Sequence, residues 1–210
     1  MMLAKMLTKK STGAQGLTFV SSATSTGSTI VIPSNAAVGD LAVLCDISTN
    51  SVGYPTLVYP TGWTAIVDDY SYFPSGTTAA LSRKTLVSGD PGATITGMLG
   101  ASEDSKALFV FRPNTSIGSV TDSSIASEAV NATASNQVVA ANTAPYIVVG
   151  SYWSNGTTDW DTIWYTDNVY VSNMAFAYKL FNSAPSSVTV APIDCECDRT
   201  ILQSCAIVVT

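Results

Sequence analysis

Beyond Leu17 the chain runs in short segments where apolar and polar positions alternate with a period of two, broken by Gly, Pro, Asn and Ser. This pattern predicts strands over 17–22, 28–33, 40–48, 63–68, 77–86, 93–97 and 106–112. After a Ser/Thr/Ala-rich stretch it predicts more over 136–141, 146–153, 174–181, 187–191 and 201–210. Helical periodicity is confined to the N-terminal arm. Strands at regular spacing with turn signals between them indicate a sandwich or barrel.

The pattern also echoes itself. "GDLAVLCDIS", Trp63, "ALSRKTLVSGDPGATITG" and "KALFVFRP" are followed by "APYIVVGSYW", Trp160 and Trp164, "AFAYKLFNSAPSSVTVA" and "SCAIVVT". Lys84 matches Lys179 in mid-strand, and each precedes a turn and a Thr/Val strand. Two similar halves, about 28–113 and 136–210, are joined by a crossover over 114–135. Neither half closes a core easily by itself. The expectation is one all-β domain over 17–210, a jelly-roll-like antiparallel β-sandwich with the halves facing each other. It is preceded by a short arm over 1–16, whose Met1, Met2, Leu3, Met6 and Leu7 are candidate docking contacts. The plain alternative for the arm is a frayed terminus.

Composition narrows the class. Charged residues make up 11% of the 210, against about 25% in an ordinary soluble domain, so Ser, Thr, Asn and Gly fill the surface. Such a neutral surface suits a protein outside the cytoplasm or one packed into an assembly. The net charge is −6, and three of the nine basic residues, Lys5, Lys9 and Lys10, sit in the arm. No basic stripe remains for phosphates, which argues against nucleic acid as a partner. No apolar run approaches a membrane span. Histidine is absent, and with it the commonest general base and zinc ligand. The arm's lysines interrupt its apolar residues, unlike a secretory leader.

Several of these elements together resemble a β-sandwich module of tailed-bacteriophage virion proteins, of the head-decoration and tail-fibre appendage type. They read "TIVIPSNAAVGDLAVL", "YPTGWTAI", "ALSRKTLVSGDPGATITG" and "ALFVFRP", with a second-half Tyr-Lys pair at Tyr178 and Lys179. The likeness spans roughly 17–210. It implies a virion-surface protein and carries over no catalytic residue. Read physically, Gly39-Asp40 is a turn into a buried strand, and Pro60, Thr61 and Gly62 set Trp63 to plug one end of the sandwich. Asp90-Pro91-Gly92 is a hairpin-type turn, and Arg112-Pro113 ends a strand.

Three constellations remain as candidate chemistry. Cys45 and Cys205 lie in apolar strands and read as buried free thiols. Cys195 and Cys197 are too closely spaced along a strand to bridge each other, and one bridge from that pair to Cys45 or Cys205 is the alternative. Asp194, Glu196 and Asp198 alternate with those cysteines and have the chemistry to hold calcium. Their likeness to the acidic "ASEDSK" at 101–106 makes a solvated lead-in to a closing strand the preferred reading. Trp153, Trp160, Trp164 and Tyr165 sit among Asp159, Asp161 and Asp167. Such a cluster serves as core and subunit interface or, alternatively, stacks on a host-surface glycan. No nucleophile elbow occurs, and no carboxylate pair is placed across a cleft, so catalysis is not expected. The expectation is a non-enzymatic, homo-oligomeric virion structural protein without cofactor or metal. It would be a capsid decoration or cement protein on the particle surface, bound to a major capsid or tail protein. A tail-fibre or receptor-binding adhesin and a carbohydrate-binding module are the alternatives.

Overall fold

The computed structural model describes residues 16–49, 57–72, 77–96, 98–99, 103–114, 116–117, 120–130, 137–139, 146–154, 167–171, 174–182, 188–190 and 199–209. Among them every regular element is a β-strand and every pairing is antiparallel. The first part of the chain supplies β1 (Leu17–Ser25), β2 (Thr29–Val31), β3 (Leu41–Thr49), β4 (Leu57–Val58), β5 (Thr64–Tyr72), β6 (Thr77–Thr85), β7 (Thr94–Thr96), β8 (Met98–Leu99) and β9 (Glu103–Pro113). The remainder supplies β10 (Val120–Val130), β11 (Gln137–Val139), β12 (Tyr146–Ser154), β13 (Asp167–Val171), β14 (Met174–Phe181), β15 (Val188–Val190) and β16 (Arg199–Val209). One five-stranded sheet has the order β1-β9-β3-β6-β5, and a second has β10-β16-β12-β14-β13. Three two-stranded ribbons, β2-β7, β4-β8 and β11-β15, complete the described part.

Side-chain alternation explains how these sheets meet. Leu41, Val43, Cys45 and Ile47 of β3, with Ala107, Phe109 and Phe111 of β9, turn one way. They share a buried cluster with Ile147, Val149, Phe176, Tyr178, Cys205, Ile207 and Val209 of the second sheet. This arrangement is that of a β-sandwich, with one core between two antiparallel sheets. Ala42, Leu44, Leu108 and Val110 turn the other way, into a second cluster with Ile30, Ile32, Leu86 and Ile95. The first sheet is therefore covered on both faces, which is why "LAVLC" and "ALFVF" are unbroken apolar runs rather than alternating ones.

Tyr178 is the aromatic centre of the shared core. Its ring stacks on Phe19 at 4.9 Å between centroids and lies 5.2 Å from Phe109 and from Phe111, the latter edge-on at 80°. Edge-to-face and offset contacts add to burial itself. The seam between sheets is also clasped by polar groups. The Leu17 N–H donates to Asn182 Oδ1 at 2.7 Å, and Asn182 Nδ2 donates to the Leu17 carbonyl at 3.1 Å. Arg83 Nη2, from β6, donates to the Val120 carbonyl at the start of β10 at 3.2 Å. Gly16 lies beside this clasp, where a Cβ would meet Asn114 Nδ2 at 2.6 Å and that side chain would have to shift. Asn182→Ala leaves both main-chain groups of Leu17 without that partner, and is expected to cost about 1–3 kcal/mol in urea unfolding. Asn182→Asp, which keeps only the acceptor, should fall between the variant and the parent.

Four strands, the two-residue β4 and β8 and the longer β10 and β13, fall outside the segments expected to be strands. The segment over 114–135 was expected to be a crossover, yet it contains β10, paired along its length with β16. β10 is an edge strand built from small and polar residues ("VTDSSIASEAV"), so it carries little apolar periodicity. β13, which begins at Asp167 just after Trp164 and Tyr165 in the chain, forms the opposite edge.

Candidate functional site

The turn-forming motifs of the first half gather on the outer face of the first sheet, the face turned away from the second sheet. Pro60 to Trp63 close a turn through a 3.1 Å bond from the Trp63 N–H to the Pro60 carbonyl, with Gly62 at φ 82. A side chain at that φ is strained, although a Cβ there would only touch the Lys84 stem, at 3.5 Å. Asp90 to Ala93 form a second such turn, with Pro91 leading and Gly92 at φ 78. The loop is stitched to the residue after β2 by Ile32 N–H to Ala93 carbonyl at 2.9 Å and Gly92 N–H to Ile32 carbonyl at 3.0 Å.

Between these turns lies a groove of about 420 Å³, with Tyr59, Trp63 and Ile95 as its apolar lining and Lys84, Asp90 and Thr94 among its polar groups. Trp63 was expected to plug one end of the sandwich. It is instead half-buried against the outer apolar cluster, because β6 and the Pro60–Gly62 turn hold it on that side. Lys84 Nζ donates to Asp90 Oδ1 at 2.8 Å, and the Val87 N–H donates to Asp90 Oδ2 at 2.7 Å. Burial pushes the Asp90 carboxyl up, but the Lys84 and Val87 hydrogen bonds and the Lys84 charge together outweigh it and hold the group below the ordinary aspartate range. A carboxyl lowered on folding stabilises the fold above its unfolded pKa, and that contribution disappears as pH falls through the folded value. The loop at 87–93 is therefore expected to loosen in acid below the ordinary aspartate range. Amide exchange at Val87 should rise there, and Asp90→Asn should remove most of that pH dependence.

A second ion pair, outside the groove lining, ties β9 to the turn before β3. Arg112 grips Asp40 with both ends of its guanidinium, Nε to Oδ1 at 2.9 Å and Nη2 to Oδ2 at 2.8 Å. The Ala37 N–H adds a 2.8 Å bond to Oδ2, and Arg112 Nη2 also donates to the Asn35 carbonyl at 3.2 Å. Hydrogen bonding to Asp40 and then its charge push the guanidinium's pKa further up.

Cys45 and Cys205 are buried, and neither forms a disulfide. Burial first, then Cys205 and Asp46, push the Cys45 thiol well up, so it stays protonated and unreactive. Trp153 stands on β12, with Met174 and Ile201 as its register partners. Trp160, Trp164, Tyr165, Cys195, Cys197, Asp194, Glu196, Asp198, and Met1, Met2, Leu3, Met6 and Leu7 of the arm lie outside the described residues. Among the described residues no group of three His, Cys, Asp or Glu side chains is placed to hold a metal, and no helix is long and apolar enough to cross a membrane. Neither the groove nor the Asp40–Arg112 grip was foreseen as a site. The available signal was the charge at both ends of "DLAVLCD" and "KALFVFR", which faces acid with base when the strands pair antiparallel. No protein-family model, curated protein or solved structure matches the chain.

Proposed function

We propose that the chain is a non-enzymatic structural module of a tailed-phage virion, a decoration or cement protein on the capsid surface that assembles as a homo-oligomer with a major capsid or tail protein. The observation that carries this reading is the mutual bonding of the elements behind the resemblance. "IPS", "GDL", "P-x-GW", the mid-strand lysine, "GDPG" and "FR" are remote in sequence. Ile32 bonds Ala93, Asp40 bonds Arg112, Lys84 bonds Asp90, and Gly62 lies against Lys84. A set of residues that interlock in this way behaves as one structural signature rather than as scattered turn residues.

The finer plan, a sandwich made of two similar halves, belongs to the same proposal. Its support is positional. β1, β2, β3, β5, β6, β7 and β9 correspond in order and pairing to β10, β11, β12, β13, β14, β15 and β16. Lys84 shares a rung with Ala42 and Val110, and Lys179 shares one with Val148 and Ala206, at the equivalent place in each sheet. β5 packs beside β10 while β1 packs beside β13, as a two-fold relation between halves requires. Among the described strands each five-stranded sheet draws on one contiguous half, with β9 the last strand of the first and β10 the first of the second. A duplicated subunit facing itself is a compact building block for a shell.

Quantitative peptide mass spectrometry of purified particles tests the reading. A structural protein should be present at a fixed ratio to the major capsid protein. Absence from particles, with the protein abundant in infected-cell lysate, would overturn it. The groove favours a second reading, in which the module also binds a surface glycan: an aromatic ring beside a carboxylate, an ammonium and hydroxyls is what a sugar face requires. A glycan array comparing the parent with Trp63→Ala and Trp160→Ala separates the two. Binding lost in either variant supports an adhesin, and no binding by the parent removes that reading.

A further inference from the structure

We propose that Lys106 and Asp46 condense spontaneously to an isopeptide bond that staples β9 to β3. The two residues are direct register partners on adjacent central strands. Lys106 Nζ lies 3.2 Å from Asp46 Oδ1 and 3.1 Å from Oδ2, so the amine already faces the carboxyl that would become an amide. Their side chains are 2% and 0% exposed, which makes this the most deeply buried ion pair described.

Burial is what turns proximity into chemistry. Amide formation requires the neutral amine and the neutral acid, and a proton passed from Lys106 Nζ to an Asp46 oxygen across the 3.1–3.2 Å contact supplies both. The amine nitrogen then attacks Asp46 Cγ. A C–N bond forms, a C–O bond breaks, and the departing oxygen leaves as water with one proton from the acid and one from the amine. No oxidant, metal or activating group is consumed. Holding nucleophile and electrophile at contact distance supplies most of what an uncatalysed amide condensation lacks. Thr78 and Ser48 are also buried there, and they pair with each other in the β3–β6 register. Among the described residues Ser48 Oγ has no hydrogen-bond partner, leaving a buried polar atom two residues from Asp46 to receive the released water.

The second sheet provides an internal comparison. At the rung equivalent to Asp46–Lys106 it pairs Tyr152 with Leu202, and the neighbouring Ala80 corresponds to Ala175. A sheet of this design thus does without a charged pair at that rung. Its presence in the first half, where an ionic pair is costly to bury, fits a reactive pair better than a merely stabilising one.

The test is the intact mass of the purified full-length chain under denaturing conditions, followed by proteolytic mapping. The expected mass is one water below that of the sequence. The expected map contains a branched peptide joining the segment around Asp46 to that around Lys106, and the water loss should be absent from Lys106→Arg. Dehydration at an aspartate without crosslinking would also lower the mass, so two outcomes overturn the proposal: the full sequence mass in the folded parent protein, or a water loss that persists in Lys106→Arg with no branched peptide.

Discussion

Tyr178→Ala is expected to lower the free energy of unfolding by about 3–5 kcal/mol, the range for deleting a large buried aromatic ring. The ring is 3% exposed and touches Phe19, Phe109 and Phe111, so its loss opens a cavity where the two sheets meet. Domains of this size are stable by only about 5–15 kcal/mol, so the variant should sit near the edge of folding at 37 °C. Guanidinium unfolding measures the effect. Tyr178→Phe keeps the ring stacking and should cost much less. If Tyr178→Ala unfolds within about 1 kcal/mol of the parent, the sheets do not share the core described.

Asp46→Ala should cost a similar amount, about 3–5 kcal/mol, for a different reason. Lys106 is 1% exposed, and without the carboxylate its ammonium is left buried without that counter-charge. The loss is expected whether the parent pair is ionic or has become an amide, because Asp46 supplies the partner in both. Replacing both residues, Asp46→Leu with Lys106→Met, should recover much of the stability, since an apolar pair of similar volume avoids the desolvation cost. A double-mutant cycle by urea unfolding gives the coupling directly. A coupling near zero would mean that the pair is solvated.

What the sequence made legible follows from which signals are local. The apolar strands β3, β9, β12, β14 and β16 announce themselves by dense apolar runs, because each is interior to its sheet. β10 and β13 do not, because an edge strand faces fewer neighbours and tolerates "VTDSSIASEAV" or "DNVYV". The site was harder to read, since its bonds join distant residues. Asp40 and Arg112 are 72 positions apart, and Asp46 and Lys106 are 60 apart. Only with β3 and β9 in antiparallel register does acid face base at both ends, and a slip of one residue would break both pairs and turn each strand inside out. Trp63 shows the complementary difficulty. A tryptophan at a strand start is recognisable as packed, but which face of the sheet receives it depends on the β2–β7 ribbon and the loops covering that face. Sequence alone does not specify those neighbours.

The central claim, that this chain is a structural component of a capsid surface, is tested most directly by a symmetric cryo-electron microscopy reconstruction of the particle. Density for the two facing five-stranded sheets, repeated at symmetry-related positions on capsid faces or vertices, is the result expected. Density for them only along a tail fibre, with the capsid surface bare, would contradict it.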